Sequence, residues 1–168
     1  MGLVVESVGT SPYGALMAHR DGDGWVQCRC GNKHWGLHGA AGLLLVRGKT
    51  LLLQHRSEWV HNGDTWGIPG GARDSHESAV EAALREAVEE TGIDPTLLRI
   101  HTTHTDDHGD WRYDTVIAPA DPELFPHEMN NESQELRWIP WSEIDAMPLH
   151  PSFAQSWPDV HAILERDL

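Results

Sequence analysis

Glu86, Glu89 and Glu90 stand at spacings i, i+3 and i+4, and Glu77 precedes them. On a helix this spacing crowds the three carboxylates onto one face, where like charges repel. The group is costly alone and sensible around a hard divalent cation, which takes oxygen ligands. The bland alternative is a solvated acidic face, and for three glutamates taken alone it is the better bet. The run Trp66-Gly67-Ile68-Pro69-Gly70-Gly71 changes the odds, because it leads straight into this segment. Gly70 and Gly71 let backbone approach a ligand closely, and a loop carbonyl there can join a metal site. Loop plus acidic helix points to a site for metal-bound phosphates.

The glutamates need a helix, and the pattern predicts one from about His76 to Thr91. Val80, Leu84, Ala87 and Val88 form its apolar stripe. Asp74 and Glu77 have capping-box spacing, and Gly92 is a good stop. The helix needs a sheet to lean on. Gly39–Val46 reads as a buried strand, and Arg47-Gly48-Lys49 as a turn into a second strand, Thr50–His55. Leu98–Thr105 and Trp111–Ala118 read as two strands joined at Asp107–Asp110, and Glu135–Ile139 as another. Residues 119–131 form a Pro-containing loop. Ser142 is expected to cap a short helical turn, and Pro158 to open a last helix with Val160, Ile163 and Leu164 on one face. Near the start, residues 1–20 show no clear periodicity. Asp21-Gly22-Asp23-Gly24 is a turn that lacks the acidic positions of a calcium loop. Trp25–Cys30 alternates like a strand.

The stretch from Gly71 to Ile93 resembles the Nudix box, G-x5-E-x7-R-E-U-x-E-E-x-G-U, with U an apolar residue. Gly71, Glu77, Arg85, Glu86, Glu89, Glu90 and Gly92 match every fixed position, and Ala87 and Ile93 fill the apolar ones. At typical residue frequencies, seven fixed matches arise by chance about once in 10^8 starting points. The resemblance extends in outline from about Leu37 to the C-terminus, through Trp66–Gly71 and the strand with Trp138. It implies an α/β fold, a Nudix-like α/β/α sandwich with a mixed sheet over residues 37–168, and residues 1–36 as an extension. It also implies a Mg²⁺- or Mn²⁺-dependent hydrolase of a nucleoside diphosphate linked to another group, with a nucleoside triphosphate as first guess. By the same resemblance Glu89 and Glu90 are the main metal ligands, and Glu86 is a further ligand or the base. Glu77 is a ligand or outer carboxylate, and the Gly70 carbonyl completes a metal site. Arg85 orients Glu89. Members of the family also recruit a carboxylate after the helix, and here Glu132 fits that spacing better than Glu135.

Composition limits the partners. Twelve basic residues against 26 acidic ones give a net charge of −14, which repels long nucleic acids but not a small metal-bound nucleotide. No apolar run is long enough to span a bilayer, and the start lacks signal-peptide and myristoylation patterns. With two cysteines in 168 residues, a reducing, cytoplasmic setting is expected. Dimers are common in the family, so a homodimer is an open assembly, although no dimerisation motif is visible.

Other residues are weighed against blander roles. Arg47, Lys49, Arg56 and Arg73 are the cations nearest the site in sequence, with Arg56 and Arg73 taken as phosphate contacts. Cys28, Cys30 and His34, with His38 as a fourth ligand, could hold zinc. The C-x-C-x3-H spacing is uncommon, so the cysteines are expected to be small core residues of a hairpin, without stoichiometric zinc. Trp25 and Trp35 would anchor that hairpin. His101, His104 and His108, with Asp106, Asp107 and Asp110, are read as a solvated turn rather than a metal cluster. Trp59, Trp66, Trp111 and Tyr113 are more often packing than base-stacking groups. Two rivals share the fold. A prenyl-diphosphate isomerase would need a cysteine at the site, where Cys28 and Cys30 do not fall. A binding or sensor domain would have no use for the intact carboxylate set.

Overall fold

The computed structural model describes residues 20–129 and 133–168. The expectations for residues 1–19 and for Glu132 lie outside the described residues. A small hairpin comes first, β1 (Trp25–Gln27) and β2 (Lys33–Trp35), in a two-stranded sheet of its own. A seven-stranded mixed sheet follows. Its members are β3 (Ala40–Arg47), β4 (Thr50–Arg56), β5 (Trp66–Gly67), β6 (Gly70–Ala72), β7 (Thr102–Asp107), β8 (Arg112–Pro119) and β9 (Ser133–Pro140). Two helices complete the architecture, α1 (Ala79–Thr91) and α2 (Pro151–Asp167).

The sheet runs β5-β4-β3-β8-β7, with β6 added to β3 and β9 added to β4. The expected β3–β4 hairpin is present but short, pairing only Val46 with Leu51 and Arg47 with Thr50. Beyond those pairs the strands part. β3 runs parallel to β8 from Ala40↔Tyr113 to Val46↔Pro119, and antiparallel to β6 through Gly42↔Gly70. β4 takes β9 instead. A strand buried on both faces needs no polar alternation, which is why β3 reads as an unbroken apolar run. Its side chains still alternate between layers. Leu43 and Leu45 pack with Leu52, Val116 and α1, whereas Leu44 and Val46 pack with Leu53, Ile117, Ile139 and α2.

Helix α1 starts three residues later than the sequence pattern suggests. Ser78 is its N-cap, accepting from the Glu81 amide at 3.1 Å, while Glu81 accepts from the Ser78 amide. A true Ser-x-x-Glu box satisfies two orphan donors and contributes about 1 kcal/mol, so it wins over the Asp74/Glu77 pair. Asp74 and Glu77 bond each other in a separate turn before the helix. The apolar stripe also shifts. The buried face is Ala82, Ala83, Ala87 and Thr91, while Val80 and Leu84 are half-buried and Val88 is exposed. Small residues on that face let the helix sit close to β3. Gly92 ends the helix in the left-handed conformation, at φ 66°.

At the C-terminal end, the short helical turn Trp141–Ala146 begins after Pro140, which takes the place expected for Ser142. Helix α2 opens at Pro151, so Pro158 lies inside it rather than in its first turn. Val160 and Leu164 are buried against the sheet, with Ile163 half-buried beside them. The histidines of the β7 region do not gather into a metal cluster. His101 meets Asp167 and His104 meets Asp159, both on α2, while His108 meets Asp106. Among the described residues no helix is long and apolar enough to cross a membrane.

His150 joins these layers. Its amide donates to the Trp66 carbonyl at 2.7 Å, and its Nδ1 caps α2 by accepting from the Ser152 amide at 3.2 Å. Burial, with the nearby Arg56 and His61, pushes its pKa down to about 4. The unfolded chain holds a proton there up to about pH 6.5, so this contribution to stability is complete above that pH and is lost as pH falls toward 4. We expect His150→Asn, which keeps a cap acceptor, to flatten the pH dependence. Between pH 7 and pH 4.5 the wild type should lose about 1–3 kcal/mol more than the variant, read by urea denaturation. Parallel pH profiles would contradict this assignment.

Candidate active site

The carboxylates predicted from the sequence converge on one side of α1. Arg85 is their organiser. Its Nε and Nη2 donate to the two oxygens of Glu77 at 2.5 and 2.9 Å, a bidentate pair. Its Nη1 donates to Glu86 Oε1 at 2.8 Å and lies 3.5 Å from Glu89 Oε2. Its Nη2 also reaches the Ala72 carbonyl. The expected Arg85–Glu89 contact therefore exists, but Arg85 holds Glu77 and Glu86 more closely. Glu90 is buried, and its Oε2 accepts from the Gly70 amide at 2.8 Å.

Electrostatics follows from these partners. Glu77 is held below the usual carboxylate range by its hydrogen bonds from Arg85, despite partial burial. Glu86 is pushed up to about 7, because burial disfavours its charge and Glu89 repels it, against the pull of Arg85. Glu86 also explains Gly71. A Cβ on Gly71 would lie 2.6 Å from Glu86 Oε1, so only glycine lets the carboxylate rest against this backbone. At Gly70 a Cβ would meet the Ala41 carbonyl at 2.5 Å.

These groups open onto a cleft of about 800 Å³, whose lining includes Gly70, Gly71, Glu86, Glu89 and Glu90. Glu77 is not part of that lining, since Arg85 and the Asp74 amide occupy it from behind. Arg56 reaches the cleft and donates to the His61 carbonyl at 3.0 Å. Arg73 instead faces a separate shallow cleft with His38 and Arg112. Arg47 and Lys49 lie elsewhere, stacked over Trp138 and Trp141, because the β3–β4 turn points away from the site. Glu135 sits on β9, paired with Arg137 at 2.8 Å.

Three features escaped the sequence reading. Arg20 donates to Glu89 Oε1 at 2.7 Å and lies 3.4 Å from Asp74 Oδ2. It comes from a stretch without periodicity, so no pattern marks it. Trp25 and Trp35 are not buried anchors but meet edge to face at the cleft, 45% and 41% exposed, with His61 against Trp25. His34 lines the cleft too, stacked on the buried Trp111. Trp66 is buried against His55, and Trp59 is exposed outside the cleft. Neither Cys28 nor Cys30 lines the cleft, as the isomerase reading would require.

The donor set suits a hard cation. Arg20 and Arg85 are outnumbered by Asp74, Glu77, Glu86, Glu89 and Glu90, all oxygen donors. In the cation-free protein, Glu86 therefore costs stability when charged. Its folded pKa exceeds the unfolded value, so the folded state is favoured at low pH and loses stability as pH rises toward 7. Glu86→Gln keeps the acceptor for Arg85 and removes the charge. We expect it to raise stability by about 1–3 kcal/mol at pH 8 in a chelator, with no gain at pH 4, by thermal denaturation.

Comparison with known proteins gives a consistent picture. The NUDIX domain profile matches residues 36–159. A Mycobacterium tuberculosis protein named "Putative 8-oxo-dGTP diphosphatase 3" is 47% identical over 148 residues, covering 82% of this chain and 68% of that protein. A Bifidobacterium longum nucleoside triphosphate pyrophosphatase/Nudix hydrolase fusion protein is 42% identical over 156 residues, covering 88% of this chain and 32% of the fusion. The crystal structure of the Nudix hydrolase RenU from M. smegmatis superposes with a TM-score of 0.78 at 42% identity, covering 88% of this chain and 98% of that one.

Proposed function

Because this chain belongs to the NUDIX family, we propose that it is a Mg²⁺- or Mn²⁺-dependent hydrolase that cleaves a diphosphate bond in a nucleotide. The supporting observation is the cleft itself, where Glu86, Glu89 and Glu90 face an aromatic mouth. One relative is named for nucleoside triphosphate chemistry, as an 8-oxo-dGTP diphosphatase. We therefore place a nucleoside triphosphate, oxidised purines included, first among substrates.

In this reading Glu86, Glu89 and Glu90 are cation ligands, with the Gly70 carbonyl and Glu132 completing the set. Glu77 contributes through Arg85, which fixes the carboxylates in place. A bound divalent cation supplies neutralisation of the diphosphate and lowers the pKa of an attacking water. The side chains do the rest. Whichever of Glu86 and Glu132 does not hold the cation would accept the proton of an attacking water. Arg56, which also lines the cleft, contacts phosphate, whereas Arg73, in its separate cleft, takes no part. Trp25 and Trp35 offer the base an exposed π-surface. The net charge of −14 suits a small substrate that arrives with its cations.

A panel of nucleoside triphosphates, nucleotide sugars and dinucleotides, each incubated with Mg²⁺ and resolved by product, tests the proposal. Hydrolysis in ¹⁸O-labelled water should place label in one phosphate product, and unlabelled products would point to transfer or isomerisation. Glu89→Gln and Glu90→Gln should each remove most activity while the far-UV spectrum is kept. Glu132→Gln should lower kcat about 10²-fold or more, and Glu135→Gln far less, since Glu135 is spent on Arg137. Equal small effects would remove Glu132 from the site.

A further inference from the structure

We propose that Cys28, Cys30 and His34 form a zinc site that staples the β1–β2 hairpin where it walls the cleft. The ligand atoms of all three lie within 4.8 Å of one another. Cys30 Sγ and His34 Nε2 are 3.1 Å apart. Two sulfurs and an imidazole nitrogen are a soft set that selects zinc, unlike the hard carboxylates of α1.

Sequence spacing argued against this, and the fold supplies what spacing could not. The last ladder pair of the hairpin is Gln27↔Lys33. Beyond it the chain closes a tight turn, with the Cys28 amide on the Asn32 carbonyl and the Gly31 amide on the Cys28 carbonyl. Gly31 takes φ 96°, which favours glycine. His34 stands opposite Val26 in the ladder, close enough for its ring to meet the turn.

Packing alone does not account for the pair. Cys28 is buried against Ala40 and Trp111, as expected of a core cysteine. Cys30 is exposed and has no place in that cluster, so the core reading fails for it. A disulfide between residues two apart would be strained. The Cys28 sulfur is held in place by donating to the His108 carbonyl at 3.2 Å. The His34 ring is already oriented, stacked on Trp111 with centroids 4.1 Å apart and planes 7° apart. Trp111 in turn donates from Nε1 to the Trp35 carbonyl at 3.2 Å. Among the described residues no fourth His, Cys, Asp or Glu joins the three, so the fourth position falls to solvent.

The site would act on shape rather than on chemistry. Asn32, Lys33, His34 and Trp35 line the cleft, and the cysteines do not. Zinc would fix the turn behind that wall and with it the position of Trp35.

Elemental analysis of tag-free, gel-filtered protein grown with zinc tests the assignment. We expect about one zinc per chain, lost in Cys30→Ser, whose side chain is exposed, and retained in Glu89→Gln. Titrating zinc-stripped wild type with Co²⁺ should give a thiolate-to-cobalt charge-transfer band. Absence of both zinc and that band in the wild type would overturn the site. So would zinc that survives Cys30→Ser and leaves with Glu89→Gln, because that metal would belong to the carboxylates.

Discussion

Repulsion among the carboxylates on one side of α1 is the constraint that the surrounding structure answers. They are met by donors from three parts of the chain. Arg85 serves Glu77 and Glu86 from the same helix, the Gly70 amide serves Glu90 from β6, and Arg20 reaches Glu89 from ahead of β1. The positive groups still fall short of the negative ones. What remains is a site with negative charge to spare, with Glu86 largely withdrawn from solvent. Gly71 belongs to the same solution, since the carboxylate of Glu86 occupies the place of its missing side chain.

Helix placement carries this arrangement. The α1 face toward the sheet is alanine and threonine, so the helix axis sits near β3 and its acidic side stays beside β6. On the other face, large groups such as Phe153 and Trp157 fill the space between α2 and the sheet. The two layers thus differ in the size of the side chains that fill them. One brings backbone and carboxylates together, and the other supplies most of the bulky apolar core. His150 ties the second layer to the Trp66 backbone, just ahead of the glycine-rich run.

Much of this was legible in the residues themselves. The box from Gly71 to Ile93 announced the helix, its stop and its carboxylates, because periodicity and spacing are local properties. Strands β3, β4, β7, β8 and β9 were legible for the same reason, within a residue or two at most ends, whereas β5 and β6 lie in the glycine-rich run that reads as a loop. Errors arose where two local signals competed or where the answer lay far away in the chain. Ser78 outbid Asp74 as a cap because a serine oxygen and Glu81 satisfy two amides together. Pro158 was taken for a helix start, yet Pro151 already filled that role. Arg73 sits within the box but just past the end of β6, where it faces another cleft. Arg20, Trp25 and Trp35 could not be assigned to the site, because only tertiary contact brings them there. Cys30 was expected in the core and is exposed, because the turn that closes the hairpin carries it away from the Cys28 cluster.

The order of strands also bears on how the chain acquires its structure. Central β3 shares only two register pairs with its immediate successor β4. Its long partner is β8, where Ala40 faces Tyr113. Pairing them requires closing a loop on the order of 70 residues before the gain in contacts is realised. Local hairpins such as β7–β8 can form early, but the middle of the sheet waits for that closure. Refolding should therefore be slow for a chain of this size, paced by a non-local event rather than by helix formation.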